Sequence, residues 1–450
     1  MPDIIILGTG MAGFGAAHRL TENGLNPTMY DKNTYHGGHT ASFRYDGGFL
    51  FDLGPHISFT KDLRIQELFA ESVDHEYETM QIKLNNYWRG YWPTHPVQVN
   101  LFGLPSEIVA KVIVDFVDIR QAPEQPAKNY AEWLLASFGR TFAELFPMQY
   151  TRKYHTTSAD NMSTDWLGPR IYRPSLEEVI KGAISPSSPA VHYITHFRYP
   201  RYGGFVSYLR KFLPMGNLQL GRQVQAIDPH IREITFSDGA VARYDGLISS
   251  IPLPDLVPMI KGVPQDVLDS VRRLACSSCM LVNIGVDRQD LSGSQLTYFY
   301  DEDISFARLS FPHMFSGSNA PPGKGSIQAE VYFSKKYRPF TGAPNICVDR
   351  VIADLRRCGT LRPEDTICFT RATYLPYANV IFDLDRAEAL KTVHGYLDDH
   401  SIAYCGRYGD WGYMWTDESF KSGENAAQKV LDQSWSSKAS PRSLRIPPKP

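Results

Sequence analysis

Three glycines near the start of the chain have the spacing of a dinucleotide-binding turn. Gly8, Gly10 and Gly13 follow the apolar run Ile4–Leu7 and open a segment with helical periodicity. In such a turn the first glycine bends the chain, the second lets backbone approach a pyrophosphate, and the third lets helix and strand pack closely. Asp31 ends the next predicted strand, where its carboxylate can accept hydrogen bonds from ribose. The pattern predicts a nucleotide site at a helix N-terminus, whose free N–H groups favour phosphate.

A second glycine pair favours FAD over NAD as the dinucleotide. Gly37 and Gly38 lie just beyond Asp31, where a further glycine turn lets the backbone pass along an extended cofactor. Far downstream, the segment 407–427 brings a Gly-Asp pair close to a predicted helix start, which suits a second helix N-terminus directed at the flavin. The residues of the opening segment predicted to bind FAD are Gly8, Gly10, Met11, Ala12, Gly13, Asp31, Lys32, Gly37, Gly38 and His39.

Composition and charge exclude several classes of partner. The 450 residues are 43% hydrophobic and 21% charged with a net charge of -2, so the basic excess typical of nucleic-acid binding is missing. No apolar run reaches the roughly 20 residues that cross a bilayer, and Ile4–Leu7 is too short for a secretory signal. We therefore expect a cytoplasmic protein with no membrane span and no nucleic-acid partner. Cys276 and Cys279 are predicted to be buried thiols on a strand, and no metal site is predicted.

The elements that must position these residues divide the chain into a discontinuous cofactor domain and two further domains. Strand and turn character opens the chain and returns after a long interval of amphipathic helical segments, such as Ser106–Val117 and Asn129–Phe146. The predicted division is residues 1–59, 215–262 and 398–433 for the FAD-binding domain, 60–214 for a mainly helical substrate or cap domain, 263–397 for an antiparallel-sheet substrate domain and 434–450 for a disordered tail. The fold class is α/β. It resembles the glutathione-reductase-like FAD fold, a Rossmann domain with a central parallel sheet, shared by amine oxidases, protoporphyrinogen oxidase and UDP-galactopyranose mutase.

Four segments resemble UDP-galactopyranose mutase in order and spacing, over nearly the whole chain up to the tail. Gly54–Phe59 is similar to that family's histidine loop, and Trp92–Leu101 is similar to its Tyr-Pro-hydrophobic-Asn stretch before a helix. Trp133–Tyr154 ends in Tyr-Thr-Arg-Lys-Tyr and resembles the family's Tyr-x-x-Lys-aromatic segment, and Asp165–Arg170 follows at the expected distance. The chain is therefore identified as a UDP-galactopyranose mutase-like flavoprotein.

The resemblance implies an isomerisation without net redox change. N5 of reduced FAD would attack the anomeric carbon of the sugar and displace the nucleoside diphosphate, giving an adduct that opens, recloses through another hydroxyl and recaptures the nucleotide as a furanoside. Because the cofactor supplies the nucleophile, the protein mainly has to hold diphosphate and sugar in place. The implied substrate is a nucleotide sugar of the UDP-galactopyranose type, used in cell-surface polysaccharide biosynthesis. The oligomeric state stays open, and a homodimer is one of the alternatives.

The resemblance also implies roles for individual residues. His56 would lie against the flavin and respond to its redox state, and Arg407 would stabilise the anionic reduced ring. Arg170 and Arg308 would clamp the diphosphate, so these arginines and His56 are predicted to be catalytic. The cofactor set is completed by His56, Val224, Arg407, Tyr413 and Met414. The predicted substrate-binding residues are Trp166, Arg170, Arg308, Tyr377 and Tyr413.

Departures from the family leave the substrate open. Histidines at His95 and His155, and a segment 171–202 rich in Pro, Tyr and His, do not reproduce the family's nucleotide-binding loop. GDP- or dTDP-linked hexoses, or a modified galactose, therefore stay alternatives to UDP-galactose, and no second GxGxxG indicates an NADPH site. Two other functions also stay open: an FAD-dependent oxidoreductase of the amine oxidase or desaturase type, and a non-catalytic flavoprotein. The two predicted arginines favour a sugar diphosphate, because an amine oxidase pocket has no use for two such arginines.

Overall fold

The computed structural model describes residues 2–121, 126–186 and 191–439. Contacts divide the chain into two compact units. Unit 1 comprises the segment up to Gly38, Lys211–Val271 and the segment from Leu390 onward, and unit 2 comprises His39–Arg210 and Arg272–Ala389. Most of the predicted helical domain and most of the predicted antiparallel-sheet domain therefore lie in the same unit.

Groups of strands and groups of helices follow one another along the chain. In chain order, the strands of the described residues are β1 (Ile4–Leu7), β2 (Thr28–Asp31), β3 (Ser42–Arg44), β4 (Leu50–Asp52), β5 (Tyr77–Gln81), β6 (Leu84–Tyr87), β7 (His196–Pro200), β8 (Asn217–Leu220), β9 (Val224–Asp228), β10 (Glu233–Phe236), β11 (Val241–Arg243), β12 (Gly246–Ser249), β13 (Ser277–Val286), β14 (Leu296–Phe299), β15 (Arg308–Ser310), β16 (Gly325–Ser334), β17 (Ile367–Leu375) and β18 (Ile402–Tyr404). The α-helices are α1 (Met11–Glu22), α2 (Leu63–Ser72), α3 (Ser106–Gln121), α4 (Tyr130–Phe138), α5 (Arg140–Leu145), α6 (Pro147–Tyr154), α7 (Leu176–Ile184), α8 (Leu253–Leu256), α9 (Gln265–Arg273), α10 (Pro344–Arg357), α11 (Arg386–Asp399), α12 (Gly406–Gly409) and α13 (Thr416–Ala439).

Unit 1 is built on a five-stranded parallel sheet with the order β18-β12-β1-β2-β8. Every residue of β1 is buried, as expected of a parallel strand that is covered on both faces. Ile5 lies opposite Leu247 on one side and Thr28 on the other. Because parallel strands end at the same edge, the turn after β1 and Asp31 at the end of β2 come together. The predicted α/β class with a central parallel sheet is confirmed.

Helix α13 packs closely on α1 within unit 1. A Cβ at Gly15 would lie 2.0 Å from the Phe420 carbonyl oxygen, so this approach requires glycine. His18 Nδ1 lies 3.1 Å from Glu424 Oε1, and both side chains are buried between the two helices. The helix that the sequence places near the end of the fold is therefore fastened to the helix that follows the glycine turn.

Unit 2 is built on a six-stranded sheet with the order β17-β13-β16-β15-β14-β6, in which only β14 and β6 pair in parallel. On one face, Ile327 and Val331 of β16 join a buried apolar core with Val351 and Leu355 of α10. Successive side chains of a strand point to opposite faces, so the residues between them lie on the other side. This side, which we call the polar face, carries Ser326, Gln328, Glu330, Tyr332 and Ser334 of β16.

Two predictions about helices differ from the structure. The segment Asn129–Phe146, predicted as one helix, is broken at Gly139, which has a φ of +74° and lies against Asp115. Thr141 N–H donates to the Asp115 carboxylate at 2.6 Å, so a tertiary contact sets the break. Helix α13 runs into the predicted tail 434–450 as far as Ala439, and residues 440–450 lie outside the described residues.

Cys276 and Cys279 differ in burial. Cys279 is buried on β13, as predicted, and burial raises the pKa of its thiol. Cys276 precedes the strand and is only partly buried.

No helix in the described ranges has the length and apolar character needed to cross a bilayer.

Candidate functional site

The glycine turn of unit 1 has a geometry that only glycine allows. Gly8 has a φ of +103°, in the region that favours glycine. A Cβ at Gly13 would lie 2.1 Å from the Gly8 carbonyl oxygen, and a Cβ at Gly38 would lie 3.3 Å from Gly10 Cα. Gly10 and Gly37 form a parallel bridge. The five predicted glycines therefore form one cradle of bare backbone.

Asp31 is buried and holds the end of β2 against this turn. Its Oδ2 accepts hydrogen bonds from the N–H and the hydroxyl of Thr9, at 2.9 and 2.8 Å. Its Oδ1 accepts from the backbone and side-chain N–H groups of Asn33, at 2.9 and 3.0 Å. A ribose hydroxyl would have to share the lone pairs that these four bonds occupy. The contact of Asp31 with ribose stays a prediction.

The N-terminus of α1 fits a phosphate group. Gly10 is its N-cap, no side chain among the described residues caps it, and its first turn has no acidic residue. Unpaired N–H groups at such a terminus bind anions. At α13, by contrast, Glu418 accepts from Trp415 N–H at 2.8 Å, and Asp417 adds a second carboxylate to the first turn. The orientation of α13 toward a flavin therefore stays a prediction.

Arg407 lies on α12, directly after β18, and its guanidinium folds onto the loop before α13. Nε donates to the Met414 carbonyl at 3.0 Å, and Cζ lies 5.4 Å from the centroid of the Tyr413 ring. The turn between them is tight, since the buried Trp411 has a φ of +49°. The three predicted residues Arg407, Tyr413 and Met414 thus form one cluster, and their contact with the cofactor stays a prediction.

The other predicted cofactor residues have ordinary structural surroundings. Met11 and Ala12 are buried in the first turn of α1, and Val224 is buried at the start of β9. Lys32 is exposed, and its Nζ lies 3.9 Å from Asp255, a kind of surface pair that contributes little. His39 lies in the short 3-10 helix Gly38–Thr40, at the start of unit 2. Taken together, the bare glycine cradle and the uncapped helix N-terminus of unit 1 fit the pyrophosphate of a dinucleotide.

In unit 2 the polar face is buried, and its residues bond other elements of the same unit. Gln328 Nε2 donates to the Asp52 carbonyl at 2.8 Å, and the Thr156 hydroxyl donates to the Ser334 hydroxyl at 2.7 Å. Buried polar groups need such partners, because an unpaired one destabilises the fold. The polar face therefore forms hydrogen bonds to segments that are distant from it in sequence.

Arg308 and Glu330 form an ion pair across β15 and β16. Arg308 Nε and Nη2 donate to the two carboxylate oxygens at 2.8 and 2.9 Å, and the Tyr332 hydroxyl donates to the same carboxylate. The Glu330 side chain is 2% exposed and the Arg308 side chain 20%. Burial alone would lower the pKa of Arg308, but the Glu330 carboxylate raises it above its usual value, so the guanidinium stays charged. Within the described residues no acceptor bonds Arg308 Nη1, which can therefore donate to a ligand.

A continuous series of contacts leads from this ion pair to Arg170. The centroid of the Tyr332 ring lies 4.7 Å from that of Tyr154, which lies 4.9 Å from that of His155. The His155 centroid lies 5.3 Å from that of Trp166, and Arg170 Nη1 donates to the Trp166 carbonyl at 3.1 Å. We call the rings of Tyr332, Tyr154, His155 and Trp166 the aromatic path. It brings the two predicted arginines and the predicted tryptophan into one connected group.

A buried carboxylate anchors the strand that leads to the predicted histidine loop. Asp52 accepts hydrogen bonds from the Ser42 hydroxyl at 2.5 Å, the Tyr199 hydroxyl at 2.8 Å and Phe205 N–H at 3.1 Å. Burial raises the pKa of Asp52 to about 6, although these three hydrogen bonds lower it. Because Gln328 also bonds the Asp52 carbonyl, the loop that follows β4 is attached to the polar face.

His56 and Tyr377 lie in unit 2 but outside the aromatic path. His56 Nδ1 lies 2.8 Å from the Gly54 carbonyl oxygen, to which it donates in the Nδ1–H tautomer, and its ring lies 5.4 Å from that of Phe205. Tyr377 is buried in the loop after β17, beside Ala378, whose N–H bonds β13 at 2.7 Å. The catalytic role of His56 and the substrate contact of Tyr377 stay predictions.

The sequence analysis missed three members of this group, Asp52, Glu330 and Tyr332. The alternation of β16, with Ser, Gln, Glu, Tyr and Ser between Ile, Ala, Val and Phe, is the signal that could have found two of them. A charged residue inside such a strand requires a buried partner or a ligand. Asp52 had no comparable signal, because two of its three donors, Tyr199 and Phe205, are distant from it along the chain.

Sequence comparisons with known proteins match only part of the chain. Residues 6–72 match the NAD(P)-binding Rossmann-like domain family. The 4,4'-diaponeurosporene oxygenase of Staphylococcus aureus is 36% identical over 91 residues, which are 20% of this chain. The matched part spans only 18% of that relative's own length, so the likeness is confined to one segment.

Solved structures resemble nearly the whole chain. A crystal structure of reduced UDP-galactopyranose mutase superposes with a TM-score of 0.90 and 28% identity, covering 96% of each chain. A putrescine oxidase double mutant superposes with a TM-score of 0.63 and 15% identity over 96% of this chain and 99% of the other, a likeness of fold alone. The match to reduced UDP-galactopyranose mutase confirms the predicted mutase-like flavoprotein fold, and together with the Rossmann-like segment it supports FAD as the cofactor.

Proposed function

We propose that this chain, a UDP-galactopyranose mutase-like flavoprotein by sequence and by fold, interconverts the pyranose and furanose forms of a nucleoside-diphosphate hexose. The observation that carries the proposal is the aromatic path, which connects Arg308 and Arg170 inside unit 2. Guanidinium groups suit diphosphate oxygens, and flat rings suit nucleobases and sugar faces. A nucleotide sugar offers all of these groups.

Reduced FAD, when bound, would supply the nucleophile for the anomeric carbon of the sugar. The glycine cradle and the N-terminus of α1 would hold its pyrophosphate, and Arg407 would lie beside the flavin. We also assign His56 to the flavin, and Tyr377 and Tyr413 to the substrate, on the basis of their motifs. The protein's own task is then to position the substrate rather than to provide a nucleophile.

The two arginines differ in what they offer the diphosphate. Glu330 balances the charge of Arg308, so Arg308 would contribute a directed hydrogen bond from Nη1 rather than net positive charge. Arg170 Nη1 donates to the Trp166 carbonyl, at the other end of the aromatic path. We expect Arg308 to fix the orientation of the diphosphate, and we assign Arg170 to its attraction on the basis of its motif.

Product analysis with the reduced enzyme tests the proposal. The FAD-loaded protein is reduced with dithionite under anaerobic conditions and incubated with UDP-, GDP- and dTDP-linked hexoses. We expect chromatography to resolve a new product of unchanged mass from one of them, with no oxygen or electron acceptor consumed per turnover. The oxidised protein is the control and should be inactive. If no nucleotide sugar isomerises under reducing conditions, the mutase proposal fails.

A variant pair localises the activity to unit 2. Arg170→Ala is expected to lower kcat/KM about 100-fold, since it removes a charge-assisted contact of about 3 kcal/mol. Arg140→Ala is the control, because Arg140 forms an exposed pair with Glu144 within α5. Both variants should keep their FAD, since neither residue is among those assigned to the cofactor. Equal activity in the two variants would remove Arg170 from the site.

A second candidate, an FAD-dependent oxidoreductase, is favoured by the likeness to the carotenoid oxygenase. That reading predicts that an amine or polyene bleaches the bound FAD anaerobically, because substrate would reduce the cofactor. The buried ion pair and hydrogen-bonded carboxylate of the polar face weigh against an apolar substrate, which would leave such groups without a use in binding. Anaerobic bleaching without isomerisation would favour the oxidoreductase.

A further inference from the structure

His155 is a buried histidine in the middle of the aromatic path. It is 3% exposed, and its ring lies between those of Tyr154 and Trp166. Its Nδ1 is buried and has no hydrogen-bond partner in the described part of the chain. Native proteins leave few buried nitrogens unpaired, because a buried nitrogen loses its hydrogen bonds to water and, if unpaired, gains none in return. An unpaired nitrogen at this place is explained if a ligand provides the missing partner.

The backbone next to His155 is held in an unusual conformation. Thr156 has a φ of +62°, which is rare for a β-branched residue and recurs at functional sites. Its hydroxyl donates to Ser334 of the polar face at 2.7 Å. His155 N–H closes the last turn of α6 by donating to Thr151 at 2.8 Å. The ring of His155 is therefore fixed from both sides along the chain.

The charge state of His155 limits what it can bind. Burial lowers the pKa of this imidazole to about 3, so it is neutral at pH 7. A neutral imidazole offers one N–H and one lone pair, and it adds no positive charge to attract a phosphate. An uncharged polar partner therefore suits it better than an anion, and the flanking rings of Tyr154 and Trp166 suit a flat one.

We propose that His155 selects the nucleobase of the nucleotide sugar by a hydrogen bond from or to Nδ1, an inference that rests on the proposed function. Arg170, which would bind the diphosphate, contacts the carbonyl of the adjacent Trp166. The Arg308 guanidinium, which would orient the diphosphate, is separated from His155 by the rings of Tyr332 and Tyr154. The uncharged part of the aromatic path at His155 therefore suits the base.

The test measures nucleotide binding without turnover. Calorimetry of the FAD-loaded full-length protein with UDP, GDP, dTDP and ADP is expected to show a preference for one base. His155→Phe keeps the ring and removes both nitrogens, so the affinity for that nucleotide should fall about tenfold, the value of one lost hydrogen bond. The preference among the four nucleotides should fall by the same factor. His155→Gln, which retains a donor and an acceptor, should keep the preference.

A matched control separates recognition from folding. His313 is partly buried, but its Nδ1 accepts from Ser326 N–H at 2.9 Å and its Nε2 lies 3.0 Å from the Gln289 carbonyl oxygen. His313→Phe should therefore lower the melting temperature and leave the base preference unchanged. His155→Phe should leave the melting temperature unchanged or raise it, because it removes an unpaired buried nitrogen. A merely structural role for His155 predicts the reverse, a loss of stability with no change of preference.

The remaining outcomes distinguish the two proposals. If the wild-type protein binds none of the nucleotides, the proposed function fails and this inference fails with it. If it binds one preferentially and His155→Phe keeps that preference, only the inference is overturned. If His155→Phe weakens nucleotide sugars but not the free nucleoside diphosphates, His155 contacts the sugar and the assignment to the base is wrong.

Discussion

The glycine cradle of unit 1 and the polar face of unit 2 are built from different parts of the chain. The cradle consists of backbone, because side chains are excluded at Gly8, Gly13 and Gly38. The polar face consists of side chains whose charges and hydrogen bonds satisfy one another, with the Arg308–Glu330 pair at its centre. A backbone site binds a pyrophosphate that many enzymes share, whereas a side-chain site can be adapted to one substrate.

The comparisons with known proteins follow the same division. The diaponeurosporene oxygenase matches this chain over 91 residues, and the Rossmann-like family covers residues 6–72. The family's range therefore ends before β15 and β16, where the polar face lies. A cradle of this kind therefore identifies a cofactor class and leaves the reaction open.

Glu330→Ala tests whether the polar face is a coupled structure. It leaves the Arg308 guanidinium buried without its partner, so the free energy of unfolding should fall by about 3–5 kcal/mol. Denaturant unfolding of the FAD-loaded protein measures the change. Glu302→Ala removes the exposed partner of Arg152 and should cost less than about 1 kcal/mol. Similar losses in the two variants would show that burial of the Arg308–Glu330 pair does not increase its contribution to stability.

Gly13→Ala tests the cradle. The new Cβ would lie 2.1 Å from the Gly8 carbonyl oxygen, a backbone atom that cannot move without opening the turn. We expect a loss of about 3 kcal/mol in unfolding free energy, at the upper end of overpacking effects, and release of FAD. The ratio of flavin to protein absorbance reports the second effect. Full FAD content with unchanged stability would contradict the close packing of α1 on the turn.

Asp52→Asn tests whether ionisation of Asp52, which anchors the histidine loop, destabilises the folded protein. The pKa of Asp52 in the folded protein is about 6, above its ordinary value of 3.8, so protonation favours the fold. Its contribution is fully present below about pH 4 and is lost as pH rises through 6. Relative to Asp52→Asn, the wild-type protein should therefore lose stability on the order of 2 kcal/mol over that window. Unfolding of both proteins between pH 4 and 7 measures it, and a constant difference would contradict the raised pKa.

The two regions also differ in how far the sequence predicts them. The cradle is local: its glycines lie within a short segment, and each is required by its own backbone geometry, so the α/β class and the FAD-type turn were predicted correctly. The polar face depends on register, which places Arg308 opposite Glu330 although they are distant along the chain. A sequence shows that β16 alternates, but it does not show which strand pairs with it.

The break at Gly139 and the surroundings of Asp52 have the same cause. The helical periodicity of Asn129–Phe146 is genuine, yet the contact with Asp115 stops the helix at Gly139. Asp52 collects donors from Ser42, Tyr199 and Phe205, which no local pattern brings together. Tertiary contacts of this kind override local propensity, and both examples lie in unit 2.

Gly395→Ala completes the comparison, because it is the same substitution as Gly13→Ala with the opposite expected sign. Gly395 is exposed on α11, and a Cβ there would meet no atom within 4 Å. Alanine loses less conformational freedom than glycine in a helix, so stability should rise by about 0.5–1 kcal/mol, with FAD content unchanged. Thermal unfolding beside Gly13→Ala measures both signs at once. A loss at Gly395 would mean that helical glycines in unit 1 are generally required, and the cradle would then no longer be a distinct backbone site.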